Sequence, residues 1–194
     1  MESQSLQGIV LLMYLFIHIN KCGGTSLKEA LAPHKDVFIP ANNDLINLSN
    51  QDIWNDYKKF TIIRNPIDRV LSLQGMLLKR NKIDMSIDEI LDLVEDESLA
   101  YDKLAPRNVY IKRHGLPMTH AHYQVYKDGK INVDKYWKLE ELNEVLPEIE
   151  EYLGRKLNIP KLNTSKKKQA TDKEIERIKR VYAKDFEVFY KDQL

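Results

Sequence analysis

A run of apolar residues opens the region around which the rest of the chain is organised. Residues 10–17 read VLLMYLFI without a charged side chain, and the turn NKCGGTS and the helical pattern LKEAL follow at 20–31. An unbroken apolar run is typical of a strand buried on both faces of a parallel sheet. The two glycines suit a tight turn, and Thr25 or Ser26 can cap a helix. The pattern therefore predicts a strand, a loop and a helix.

Shorter apolar runs predict the remaining strands, at 37–39, 60–63 and 136–139, with a hairpin of 123–126 and 131–133. These runs are rich in β-branched and aromatic residues, and Asp128-Gly129 suits the hairpin turn. The strands alternate with helical patterns. This order predicts an α/β fold in three layers, with a mainly parallel central sheet and flanking helices.

Capping signals mark where several helices begin. Asn65 precedes Pro66, which suits the first helical position, and capping boxes begin at Ser86 and Thr171. The helix over 140–153 is expected to restart at Pro147. The apolar face of the helix after Asn65 is predicted to comprise Ile67, Val70, Leu71 and Leu78.

The length, net charge and cysteine content of the chain restrict its domain number, its partners and its disulfide bonds. The length of 194 residues suits one domain over 1–194, with residues 1–8 as a frayed lead-in. Lys and Arg number 30 against 29 Asp and Glu, so the net charge of +1 predicts neither a nucleic-acid nor a membrane partner. Cys22 is the single cysteine, which excludes an intrachain disulfide. The apolar run lacks the basic start of a signal peptide and is too short to span a bilayer, so a cytoplasmic location is expected. The sequence does not indicate an oligomeric state.

The turn at residues 20–26 has the composition of an anion site. Backbone N–H groups at the start of a helix, its positive end and the ammonium of Lys21 suit a phosphate or a sulfate. The turn differs from the ATP-binding P-loop, because Lys21 precedes the glycines. An ordinary strand-to-helix turn with a surface lysine is the alternative.

A second candidate lies in residues 60–72, FTIIRNPIDRVLS. Arg64 leaves the end of a strand, and Ser72 follows about two turns into the next helix. Ligands of open α/β sheets bind at the carboxyl ends of strands, so Arg64 and the glycine turn are expected to face one crevice. An arginine fork suits a phosphate. The alternative is a surface salt bridge for Arg64 and no ligand for Ser72.

Together the two stretches HINKCGGTSL and FTIIRNPIDRVLS resemble the cofactor signatures of sulfotransferases that use 3′-phosphoadenosine 5′-phosphosulfate (PAPS). The likeness is greatest to carbohydrate sulfotransferases of the heparan 2-O and chondroitin type and their small bacterial relatives. It implies a P-loop nucleotide-kinase-like fold. It also implies a 3′-phosphate site at Arg64 and Ser72, and a phosphosulfate site comprising Lys21, Cys22, Gly23, Gly24, Thr25 and Ser26. Residues 129–134, 138–142, 162–165 and 185–190 resemble later segments of the family more loosely.

The resemblance implies transfer of a sulfuryl group from PAPS to an acceptor hydroxyl, on a glycan or a small molecule, without a metal. Lys21 would stabilise the leaving oxygen, and a base would take the hydroxyl proton. Many relatives keep a Gly-His pair between the two motifs, but residues 39–44 read IPANND. The candidate bases are therefore His34, His114, His120, His122 and Asp44. We predict that His34 and His122, together with Lys21, are the catalytic residues.

Two other functions stay open from the sequence. One is a nucleotide kinase of P-loop descent, which magnesium-dependent ATP hydrolysis would reveal. The other is a binding protein that keeps the nucleotide site without catalysis. Lys166, Lys167 and Lys168 are either ligand contacts or a solvated charge run.

Overall fold

Residues 13–40, 45–98, 106–160 and 169–193 are described by the computed structural model of the chain. Their strands are β1 (Met13–Ile17), β2 (Val37–Phe38), β3 (Tyr57–Ile63), β4 (Tyr126–Lys127), β5 (Lys130–Ile131) and β6 (Lys135–Lys138). Four of them form a parallel sheet in the order β2-β1-β3-β6, and β4 and β5 form the predicted hairpin. The carboxyl ends of β1, β3 and β6 therefore meet at one edge of the sheet.

Helices flank this sheet along the described part of the chain. They are α1 (Gly24–Leu31), α2 (Leu45–Ser49), α3 (Pro66–Asn81), α4 (Ile87–Glu95), α5 (Pro106–Gly115), α6 (Leu142–Leu153), α7 (Asp172–Val181) and α8 (Ala183–Phe189). Short 3-10 turns lie at Asp52–Asp56, Ala121–Tyr123, Leu139–Glu141 and Lys191–Gln193. None of the helices in the described ranges is long and apolar enough to cross a membrane.

The two faces of the sheet bury separate cores. Phe16 of β1 packs on one face with residues of α1 and α6, including Leu31 and Ile149. Leu15 and Ile17 point to the opposite face, where the core contains residues of α3, α7 and α8. Successive side chains of a strand point to opposite faces, so burial on both sides explains the uninterrupted apolar run of β1. The predicted α/β fold with flanking helices is confirmed.

The predicted helix caps at Asn65, Ser86 and Thr171 are confirmed. The side-chain oxygen of Asn65 accepts a hydrogen bond from the backbone N–H of Ile67 at 2.8 Å, and α3 begins at Pro66. Both capping boxes form, with Ser86 at the start of α4 and Thr171 at the start of α7. These caps satisfy N–H groups that have no partner within their own helices.

Three predictions about helices are wrong because tertiary packing overrides the local pattern. Helix α6 continues through Pro147 instead of restarting there. Leu78 is 39% exposed, and the buried face of α3 includes Leu73 and Leu77. The apolar stripe Ile175, Ile178, Tyr182, Phe186 and Phe189 predicts one final helix after Thr171, but this stretch divides at Tyr182 into α7 and α8.

Several sequence predictions lie outside the described residues. They are the lead-in at 1–8, the first part of the apolar run at 10–12, Asp44, the segment 162–165, and the lysines at 166–168.

Candidate active site

The turn after β1 leads into α1 with a left-handed backbone. Lys21 has φ 67° and Gly23 has φ 72°, and α1 begins at Gly24 with Gly23 at the cap position. The prediction that Thr25 or Ser26 caps the helix is wrong, because both residues lie in its first turn and no side chain accepts a hydrogen bond at the cap. The first N–H groups of α1 therefore lack a side-chain cap within the described structure, as suits an anion site.

Both glycines of the turn are held in close contact with other side chains. A Cβ atom on Gly23 would lie 2.5 Å from Cδ1 of Leu139, which follows β6. A Cβ atom on Gly24 would lie 1.9 Å from Cδ2 of His18, which follows β1. Neither distance is compatible with a larger residue in this arrangement. The turn is therefore packed closely against the carboxyl ends of two strands.

A cleft of about 790 Å³ opens beside this turn. It brings together seven of the residues that the two motifs predicted as a binding site, namely Lys21, Gly23, Gly24, Thr25, Ser26, Arg64 and Ser72. A hydrogen bond connects the two motifs, since Nη1 of Arg64 donates to the backbone carbonyl of Lys21 at 3.2 Å. Residues that lie far apart in the sequence thus share one cleft at the strand ends.

Three predicted site residues do not line this cleft. Cys22 is buried with its Sγ atom 3.9 Å from Sδ of Met118, and burial raises the pKa of its thiol to about 12. His34 lies in the turn between α1 and β2, and His122 is buried with its ring 5.1 Å from that of Tyr123. The described lining of the cleft includes none of the three.

Helical spacing brings further residues into the cleft that the motifs did not include. Met76 and Arg80 follow Ser72 at intervals of one turn on α3, and Tyr110 and His114 are one turn apart on α5. Residues four positions apart share one face of a helix. The position of Ser72 in the sequence could therefore have identified Arg80 as a residue of the cleft. His18, the first polar residue after β1, also lines the cleft.

A sequence model described as sulfotransferase family matches residues 13–191. The chain belongs to the sulfotransferase family. The crystal structure of a sulfotransferase from Alicyclobacillus acidocaldarius is 19% identical, covers 90% of this chain and 93% of that chain, and gives a TM-score of 0.55. At that identity the likeness shows a shared fold. No curated protein matches the chain significantly.

The cleft of this sulfotransferase is electrostatically positive. Lys21, Arg64 and Arg80 line it, and its described lining contains no aspartate or glutamate. Burial, together with the charges of Arg80 and Arg64, lowers the pKa of Lys21 to about 8. The ammonium is thus crowded by other cations in the free protein. A bound anion would relieve this repulsion, which makes the cleft suitable for a ligand with several negative charges.

The two histidines in the lining are neutral at neutral pH. Burial and the charge of Lys28 lower the pKa of His18 to about 4. Burial also lowers the pKa of His114, although the hydrogen bond of its Nδ1 atom with the carbonyl of Tyr110 acts in the opposite direction. Each ring in the sulfotransferase can therefore accept a proton or a hydrogen bond at one nitrogen.

The buried side chain of Arg69 forms hydrogen bonds with two of the segments that line the cleft. Arg69 is only 1% exposed, and its Nε atom donates to the backbone carbonyl of Asn20 at 2.9 Å. Its Nη2 atom lies 3.3 Å from both the carbonyl of His114 and the hydroxyl of Tyr123. One guanidinium group therefore connects the glycine turn of the sulfotransferase to the end of α5. Within the described residues, no three His, Cys, Asp or Glu side chains are grouped as a metal site would require.

Proposed function

We propose that this sulfotransferase moves a sulfuryl group from PAPS to an acceptor hydroxyl on a carbohydrate. The observation that carries the proposal is the grouping of Lys21, Arg64 and Arg80 around one cleft at the start of α1. A cluster of cations beside a helix N-terminus, with no acidic residue in its described lining, favours a polyanionic ligand.

The described residues fit the two anionic ends of PAPS. Lys21 and the first N–H groups of α1 would hold the 5′-phosphosulfate, beside the turn where Gly23 and Gly24 leave no room for a Cβ atom. Arg64 and Ser72 would hold the 3′-phosphate. The cavity of about 790 Å³ lies in the range of small-molecule sites. Arg80 adds a cation on the same helix face as Ser72.

PAPS, when bound, supplies an activated sulfuryl group with adenosine 3′,5′-bisphosphate as its leaving group. Lys21 would stabilise the negative charge that develops as the leaving oxygen separates, because its position is set by the backbone before the reaction begins. The N–H groups of α1 would orient the reacting group in line with the acceptor. Sulfuryl transfer resembles phosphoryl transfer, in which positioning and electrostatic stabilisation provide most of the catalysis.

A carbohydrate acceptor is supported by the polar and aromatic residues at the cleft. Tyr110 is 38% exposed and lines it, as do Asn143 and Asn158. Sugars stack on exposed aromatic rings, and carboxamides bond to their hydroxyl groups. The test is transfer from radiolabelled PAPS over separate sets of glycans, lipids and small alcohols. Label found only on lipids or simple alcohols would contradict the carbohydrate acceptor.

The first prediction concerns the nucleotide. Arg64→Ala should weaken binding of adenosine 3′,5′-bisphosphate by about 1.5–3 kcal/mol, the value of a hydrogen bond to a charged group. It should leave AMP binding nearly unchanged, because AMP has no 3′-phosphate. Titration calorimetry with both nucleotides measures the difference. Arg180→Ala, at an exposed arginine of α7, is the control. An equal loss for both nucleotides would contradict a 3′-phosphate site at Arg64.

The second prediction concerns pH. A bound anion stabilises the charged form of Lys21 and raises its pKa above the free value of about 8, so binding above that pH takes up a proton. Affinity for adenosine 3′,5′-bisphosphate should therefore fall above about pH 8, by up to about tenfold per pH unit. Lys21→Arg, which stays charged, should remove most of this slope. A wild-type affinity that is constant between neutral pH and the upper limit of stability would contradict the prediction.

A further inference from the structure

We propose that His114 is the base that accepts the proton of the acceptor hydroxyl, a role that rests on the proposed transfer reaction. His114 lies in the last turn of α5 and lines the same cleft as Lys21. A base must come within hydrogen-bond reach of the proton that it removes. Among the described histidines, only His114 and His18 line the cleft, so the geometry reduces the histidine candidates to these two.

The hydrogen bond at one ring nitrogen fixes which nitrogen is basic. Nδ1 of His114 lies 2.8 Å from the backbone carbonyl oxygen of Tyr110, one turn earlier on the helix. A carbonyl oxygen can only accept, so Nδ1 must carry the hydrogen of the neutral ring. Nε2 therefore keeps its lone pair, which is the requirement for a general base.

The imidazole of His114 is also held in place relative to the glycine turn. The ring of Tyr110 packs on it with a centroid distance of 4.0 Å. Arg69 donates to the backbone carbonyl of His114 at 3.3 Å and to that of Asn20 at 2.9 Å. Because Asn20 directly precedes Lys21, one buried guanidinium group fixes the backbones that carry both the base and the ammonium. Such a base needs little reorganisation when an acceptor binds.

The charges around His114 keep its ring neutral before reaction. Burial lowers the pKa of His114, and the neighbouring cations Lys21, Arg69 and Arg113 lower it further, against the opposing hydrogen bond with Tyr110. His18 lies near some of the same charges, since burial lowers its pKa and the charges of Lys28 and Lys21 lower it further. A neutral imidazole at neutral pH is the form that can accept a proton.

His18 is the weaker candidate for two reasons. Its Cδ2–Nε2 edge lies against Gly24, where an added Cβ atom would be only 2.3 Å from Nε2. Its pKa is lowered to about 4, and a base so weakly basic accepts a proton less readily at neutral pH. His18 therefore serves to close the turn against β1, and the proton transfer falls to His114.

The acceptor oxygen gives its proton to Nε2 of His114, keeps the electron pair of the O–H bond and forms the new bond to sulfur. The electron pair of the broken sulfur–oxygen bond leaves on the phosphate oxygen, whose charge Lys21 offsets. The imidazolium of His114 then releases its proton to solvent.

The test compares turnover with nucleotide binding in the full-length protein. His114→Ala should lower transfer from radiolabelled PAPS by about 10²-fold or more, using whichever acceptor the wild type labels best. Binding of adenosine 3′,5′-bisphosphate should be retained, and added imidazole should restore part of the transfer. His114→Gln, which keeps a polar side chain, provides the same comparison if the alanine variant does not fold. His34→Gln and His122→Gln test the two histidines that the sequence pointed to.

The outcomes separate the two proposals. If the wild type labels no acceptor, the proposed function fails and the role of His114 fails with it. If the wild type is active and both His114 variants stay active, or if only His34→Gln or His122→Gln loses activity, the assignment of His114 alone is overturned. Loss of nucleotide binding together with turnover, without rescue by imidazole, would make His114 structural. NMR of the ring nitrogens should show hydrogen on Nδ1 of neutral His114, and hydrogen on Nε2 would also overturn the assignment.

Discussion

Replacing Lys21 with alanine is expected to lower sulfuryl transfer by about 10²–10³-fold, the usual cost of losing one preorganised electrostatic partner. The loss should fall on turnover, because the ammonium interacts most strongly with the charge that develops in the transition state. Affinity for adenosine 3′,5′-bisphosphate should decrease less, since Arg64, Arg80 and the N–H groups of α1 remain in the cleft. Single-turnover transfer from PAPS and calorimetry with the bisphosphate measure the two effects separately.

Two further variants make this result specific. Lys35→Ala removes an exposed lysine between α1 and β2, outside the described lining of the cleft, and should change neither quantity. Lys21→Arg should restore activity only in part, because a planar guanidinium does not replace a compact ammonium. Equal losses of binding and turnover in Lys21→Ala would make the lysine a nucleotide anchor only. Unchanged turnover would remove the glycine turn from the proposed reaction.

Arg69→Met should cause the largest loss of stability, about 3–5 kcal/mol in the free energy of unfolding, because two hydrogen bonds from a charged donor are lost. The buried carbonyl of Asn20 and the partly buried carbonyl of His114 would both lose their guanidinium donor. Buried polar groups left without partners are costly, and methionine fills much of the volume without replacing the hydrogen bonds. For a chain of this size the melting temperature should fall by roughly 10 °C, which calorimetry or fluorimetry can measure.

Arg80→Met is the matched control for this prediction. It makes the same substitution on the same helix, at an exposed position that lines the cleft. Its melting temperature should stay within about 2 °C of the wild type, as is usual for a surface substitution, while its affinity for the bisphosphate falls. If the two variants have similar melting temperatures, Arg69 does not connect the turn to α5 in the way that its hydrogen bonds indicate.

The elements that the sequence predicted correctly depend on local signals. The apolar run of β1, the cap at Asn65 and the two capping boxes each contain their physical cause within a few residues. The same holds for the glycine turn, because a lysine, two glycines and a helix start are adjacent in the chain. Arg64 could be assigned to the same edge because parallel strands end together.

The features that sequence reasoning missed depend on packing between distant segments. The buried face of α3 includes Arg69, which an apolar pattern excludes but which bonds to backbone carbonyls outside its own helix. Helix α5 has only a weak apolar stripe, so nothing local distinguished His114 from His122. The cap at Gly23 was missed because its geometry depends on a left-handed φ in the preceding turn.

The left-handed backbone of Lys21 affects which residue evolution favours at this position. A residue with a side chain in this conformation costs about 1–2 kcal/mol relative to glycine. Selection for thermal stability alone would therefore favour glycine at position 21 and remove the ammonium with it. A lysine kept at φ 67° is a local conflict between folding and chemistry, of the kind that exchanges stability for activity. Libraries of variants that are selected only for a high melting temperature should lose Lys21 early. Libraries that are selected for sulfuryl transfer should retain it.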